Sequence, residues 1–171
     1  ATYDESVDYI CDEFRLATQG IYSADEQSVN YYQRPTKGAA MALIARLRLF
    51  QASPLFNGGA AARKCFGTWK RKSDGAYYVN QEYDPRRWAV AAAAAKQLTK
   101  MGYELHTVEA DAQNPYPLAS NVPTANFPDG AGNIDPYHSY SDMFTGEGII
   151  QTNKEFIWAM ESSNVTNYTH H

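Results

Sequence analysis

Three aromatic residues lie close together, Trp69, Tyr77 and Tyr78, and three more are spread along a stretch rich in Pro, Asn and Asp: Tyr116, Tyr137 and Tyr140. The chemistry these groups suit is binding. Tyr and Trp join a flat apolar body to a polar tip, so such rings stack on the C–H faces of pyranose sugars while nearby Asn and Asp bond their hydroxyls. The same rings can instead pack loops onto helices. Aromatic residues make up 13% of the 171-residue chain, against a mean hydropathy of −0.53, so these rings are set in polar sequence.

Reactive groups in catalytic arrangements are not found. The chain has no H-E-x-x-H, C-x-x-C, G-x-S-x-G or G-x-x-x-x-G-K pattern, and we expect no enzyme. His106 and His138 stand isolated and read as loop or surface residues. Asp4, Glu5, Asp8, Asp12 and Glu13 form an acidic face that a solvated helix explains. The run "DGAGNID", Asp129 to Asp135, offers oxygen ligands for a calcium ion but lacks the spacing and closing Glu of an EF-hand. No other cofactor is expected. A net charge of −4 gives no reason to expect a nucleic-acid partner, and "KRK", Lys70 to Lys72, reads as a solvated tip.

Helices must carry these groups. The first is expected over about Tyr3 to Gln19. Thr2 and Glu5 have capping-box spacing, Val7, Ile10, Cys11, Phe14 and Ala17 follow the helical period, and Gly20 is a stop. The second starts at Thr36 and ends near Ala52 or Ser53, because Pro54 cannot continue it. Met41, Leu43, Ile44, Leu47, Leu49 and Phe50 cover most of its girth, so it should be buried as the centre of a helical layer. Between Pro54 and Asp84 the period breaks, and residues 65–80 read as a small hairpin turning at Ser73-Asp74-Gly75. A third helix has Asp84 as cap, Pro85 in its first turn and Gly102 past its end, with Trp88, Ala91, Ala95 and Leu98 as its stripe.

Beyond residue 105 the sequence is loop-rich. "DPYHSYSDMF", Asp135 to Phe144, predicts a short helix, and "NKEFIWAM", Asn153 to Met160, alternates as a strand without a visible partner. Cys11 and Cys65 are open to two readings, one disulfide or a buried free thiol at Cys11. Two sequons, at Asn164 and Asn167, carry meaning only in a eukaryotic secreted context. The absence of an initiating Met at Ala1 and the unpartnered strand make the chain look like an interior fragment. No apolar run is long enough to span a membrane.

The stretch "RPTKGAAMALIARLRLFQASPLFN", Arg34 to Asn57, resembles the signature helix of the SusD/RagB family of Bacteroidota surface lipoproteins. It matches at Arg34, at Thr36 to Ala40, at Ala42, Leu43, Ala45, Arg46 and Leu47, and at Ala52 to Asn57. Trp88 with the Ala-rich helix ending "GYEL", and the "NKEFIWAM" segment, are similar too.

The resemblance implies a mostly α fold of irregular tetratricopeptide-like helix pairs with long loops and a small β-hairpin. Residues 1–171 would be one fragment of a larger SusD-like domain. Residues 1–105 would be the helical scaffold with hairpin 65–80, and 106–171 the loop-rich ligand side with its short strand. It also implies a non-catalytic part in nutrient uptake at the outer membrane, on the cell surface. The ligand would be an oligosaccharide or polysaccharide, or a peptide in some members, and the partner a TonB-dependent SusC-like transporter. Membrane attachment would come only through a lipid anchor absent from this chain. The signature helix is scaffold, so it transfers no ligand-binding residue.

Overall fold

The computed structural model describes residues 1–31, 33–145 and 153–159. Among these, five α-helices, one two-stranded antiparallel sheet and long connections make the chain mostly α, as expected. It divides into two compact units: Ala1–Met101 with the segment from Ile157, and Gly102–Phe156. Met160 and the two sequons lie outside the described residues.

In the first unit, α1 (Tyr3–Ala17) opens with the expected capping box. The Glu5 N–H donates to the Thr2 hydroxyl at 3.2 Å, and the Thr2 N–H to the Glu5 carboxylate at 2.7 Å. α2 (Lys37–Ala52) is capped by Thr36, which accepts from the Ala39 N–H at 3.3 Å, and ends at Ser53. α3 is Gly59–Phe66 and α4 is Arg86–Leu98. α2 packs against both α1 and α4. Val7, Cys11, Ile44 and Ala94 form the core, with Tyr3, Phe14, Met41, Ala45 and Leu47 around them. Small buried residues, Gly38, Ala39 and Ala40 on α2 and Ala91 and Ala94 on α4, let these helices approach closely. One side of α2 stays open nonetheless, with Leu49 54% and Phe50 50% exposed.

Asn57 ties the end of α2 to the start of α4. It is fully buried, donates to the Asp84 carbonyl at 2.9 Å and accepts from the Asp84 N–H at 3.0 Å. Gly58 follows with φ at 67°, and a Cβ there would lie 2.3 Å from the Glu82 carbonyl carbon. Only glycine fits both conditions.

Several expectations need correction. The inward face of α4 carries Arg87, Ala91, Ala94 and Leu98; Trp88 and Ala95 face outward. The guanidinium of Arg87 is drawn in by Asp4, and small side chains are what the contact with α2 admits. α3 was hidden by the Gly58-Gly59 pair at its start, which reads as loop. It takes up Cys65 and Phe66, so the hairpin expected at 65–80 shrinks to a bend with one antiparallel bridge, Lys70 to Tyr77. Both cysteines are free, Cys11 buried and Cys65 exposed.

In the second unit, β1 (Val108–Glu109) pairs with β2 (Ile134–Asp135), Val108 opposite Asp135. α5 (Pro136–Thr145) follows directly, close to where the short helix was expected. The described part of the expected strand, residues 153–159, is turn and bend instead. The Asn153 side chain accepts from the Glu155 N–H at 2.9 Å, which curls the backbone where a ladder would have to extend it. No helix among the described residues is long and apolar enough to cross a membrane.

Candidate functional site

The six candidate aromatics are distributed over both units, three in each, so there are two surfaces to consider. In the first unit, the bend after α3 is built by backbone pairing. The Tyr78 N–H donates to the Trp69 carbonyl at 3.1 Å and the Arg71 N–H to the Ala76 carbonyl at 2.7 Å. Asp74 closes the tip, receiving two bonds from Arg71 at 2.9 and 2.6 Å, and this pairing holds the Asp74 carboxyl down at about 2. A bond from the Tyr3 N–H to the Tyr78 carbonyl, 2.8 Å, fastens the bend to the first turn of α1.

These connections border an open, shallow cleft of about 690 Å³. Its apolar lining is a run of rings. Tyr3 and Phe56 stack at 4.5 Å between centroids, Phe56 and Phe66 at 6.0 Å, and Phe66 meets Trp69 at 5.6 Å with a 54° tilt. Burial pushes the Tyr3 phenol up, with a smaller contribution from the neighbouring Asp4. Trp69, 58% exposed, and Tyr78, 37% exposed, line the same cleft, together with Lys70 and Thr68. Tyr77 does not line it. Adjacent residues of an extended segment point to opposite sides, and Tyr77 instead lines a smaller hollow with Asn80, Gln81 and Glu82. The Lys70 ammonium lies over its ring at 4.5 Å from the centroid.

In the second unit, Tyr116 and Tyr137 stack nearly parallel, 5.2 Å apart at 7°. Each ring therefore spends one face on the other. His138 meets the Tyr137 ring edge-on and bonds Asp135 through Nδ1 at 2.7 Å. Asp135 is held below the usual carboxylate range by the His138 backbone N–H and then by its ring, and the same contact raises His138. His138 is thus not isolated, and neither is His106, whose Nε2 lies 3.4 Å from Asp142. Tyr140, 71% exposed, leans on Phe144 four residues on, at the edge of a 450 Å³ hollow floored by Phe127, Ile134 and Met143.

The oxygen atoms of the 129–135 run serve the loop's own donors: Asn133 accepts from the Phe127 N–H at 2.7 Å and Asp135 from the His138 N–H at 2.9 Å. Among the described residues no three His, Cys, Asp or Glu side chains gather as a metal site.

Of the cleft's rings, Tyr3 and Phe56 escaped sequence reasoning as site residues. Tyr3 looks like any apolar residue in a first turn, and Phe56 belongs to the scaffold signature.

Neither a family model nor a curated protein matches the sequence. Two solved structures share the fold: that of BT4246, a Bacteroides thetaiotaomicron protein, with a TM-score of 0.59, and that of its selenomethionine form, with 0.56. Both are 24% identical to this chain and cover 94% of it. The chain spans 28% of the length of each of those chains.

Proposed function

We propose that this chain is part of a cell-surface, non-catalytic glycan-binding protein of the SusD/RagB family, working at the outer membrane beside a TonB-dependent transporter. The observation that carries the reading is the Trp69 ring, 58% exposed at a cleft floored by Tyr3, Phe56 and Phe66. A large flat apolar face left open beside a concave aromatic surface is what a sugar ring's C–H face stacks on. The match of Arg34 to Asn57 to the family signature and the fold likeness to a Bacteroides protein support the same reading.

A second reading, in which protein contact is the main task, is favoured by Leu49 and Phe50, both half exposed on α2. Peptide capture is the third, since a cleft lined by rings also suits apolar side chains. Calorimetry of the full-length protein against polysaccharides and oligopeptides separates them. Glycan binding that Trp69→Ala weakens is the expected result. Peptide binding without any glycan binding would overturn the glycan reading.

A further inference from the structure

Charge is segregated along the chain. The second unit, Gly102–Phe156, holds eight Asp and Glu but one Lys or Arg, Lys154, while the other fourteen Lys and Arg lie outside it. Lys154 is itself bound to Glu104, at 3.3 Å. Counting His106 and His138 as charged still leaves carboxylates ahead, eight to three. Within this acidic unit, the 450 Å³ hollow beside α5 has apolar walls. Phe144 is 73% exposed there and Leu105 64%, with Tyr140 and Phe127 exposed beside the same space. Single exposed apolar residues are ordinary, but four sharing one hollow form a patch of the kind that meets another molecule. Among the described residues the lining has one carboxylate, Glu155, and no Lys or Arg. Glu155 accepts the His106 N–H at 2.7 Å, which holds its carboxylate in place without neutralising it.

We infer that this hollow docks a basic segment of a partner protein, with an arginine side chain entering it. Apolar walls with one carboxylate suit a side chain that is apolar along its stem and cationic at its head. A guanidinium is planar, so it stacks on ring faces while its edge N–H groups bond a carboxylate. The unit's other carboxylates add a negative field, which favours a segment bearing several cations over a single charge and speeds its encounter. That attraction weakens as salt screens it. This docking is independent of the glycan reading, which rests on rings of the first unit.

Calorimetry of the full-length protein provides the test. The probes are an arginine–glycine repeat peptide, its citrulline counterpart, which keeps the shape and loses the charge, and chitosan oligomers as a cationic glycan. The expected result is that the arginine peptide binds at least about fivefold more tightly than the citrulline peptide. Its affinity should also fall as salt rises from about 0.01 M to about 0.15 M. Glu155→Gln removes the charge yet keeps an acceptor for the His106 N–H, and Tyr140→Ala alters a ring already 71% exposed, so the fold tolerates both. Each should weaken arginine-peptide binding about threefold. Equal binding of the citrulline peptide, indifference to both substitutions, preference for chitosan, or no binding of the arginine peptide would each overturn the docking surface. Glycan binding sensitive to Trp69→Ala stands or falls separately.

Discussion

Arg87 of α4 and Asp4 of α1 form a bidentate ion pair, with N–O distances of 2.9 and 2.7 Å, across 83 residues of sequence. The guanidinium also donates to the Phe56 carbonyl at 3.3 Å, at the end of the turn that carries a ring of the cleft. Its side chain is only 16% exposed, against 87% for its neighbour Arg86. Removing Arg87 leaves the half-buried Asp4 carboxylate to the neutral Gln51 amide, which donates to it at 2.8 Å, and takes a donor from the Phe56 carbonyl. Arg87→Ala is expected to lower unfolding free energy by about 2–3 kcal/mol, and Arg86→Ala by under about 0.5 kcal/mol. Urea unfolding of the two variants measures the contrast; equal effects would show that the pair contributes nothing beyond charge.

Asn57 should be equally intolerant, for a different reason. Its amide both donates to and accepts from the backbone of Asp84 while fully buried. Asn57→Ala leaves those groups without partners, at a cost of about 2–3 kcal/mol. Asn57→Asp is expected to destabilise as well, because the lost Nδ2 donor turns an oxygen toward the Asp84 and Ala52 carbonyls. Thermal melts that match the unsubstituted protein would refute this.

Ile44 is 2% exposed at the centre of the helical layer, and Leu49 on the same helix is 54% exposed. Ile44→Ala therefore creates a cavity and should cost about 3 kcal/mol, whereas Leu49→Ala should cost under about 1 kcal/mol. Chemical denaturation distinguishes them. A large cost at Leu49 would mean that its side of α2 is covered in the protein as measured.

The His138–Asp135 pair gives the second unit a pH dependence with two edges. His138 is raised in the folded state, so its contribution is fully present below the unfolded value of about 6.5 and is lost as pH rises through the folded value. Asp135 is lowered, so its contribution is present above about 3.9 and is lost as pH falls through its folded value. NMR titration should place the His138 transition above that of a free histidine, and Asp135→Asn should return it toward the ordinary value. A His138 transition indifferent to Asp135→Asn would remove the pair as the cause.

The two aromatic surfaces can be ranked by substitution. Trp69 leaves a broad ring face open, while Tyr116 and Tyr137 each lose one face to their mutual stack. Trp69→Ala is expected to reduce glycan affinity about tenfold, and Tyr116→Ala less than about threefold. Calorimetry with the same ligand decides, and the reverse order would move the binding site to the second unit.

Much of the scaffold was legible from residues close together in the chain. Thr2 with Glu5, Thr36 and Pro54 set the limits of α1 and α2, because caps and stops act within about four residues. The signature from Arg34 to Asn57 named a family resemblance on the same local footing, and Asn57 sits in it for a reason visible only in the fold: its partner is Asp84. The site was less legible. Trp69 and Tyr78 share a cleft while Tyr77 turns away, and Tyr3 and Phe56 join them from α1 and the end of α2. Arg87 faces inward where Trp88 was expected, because Asp4 lies opposite. Asn153 to Ala159 alternates like a strand, yet no ladder partner exists among the described residues. Local sequence determined where helices start and stop. Which ring faces stay open depended on partners tens of residues away, which only tertiary structure brings within reach.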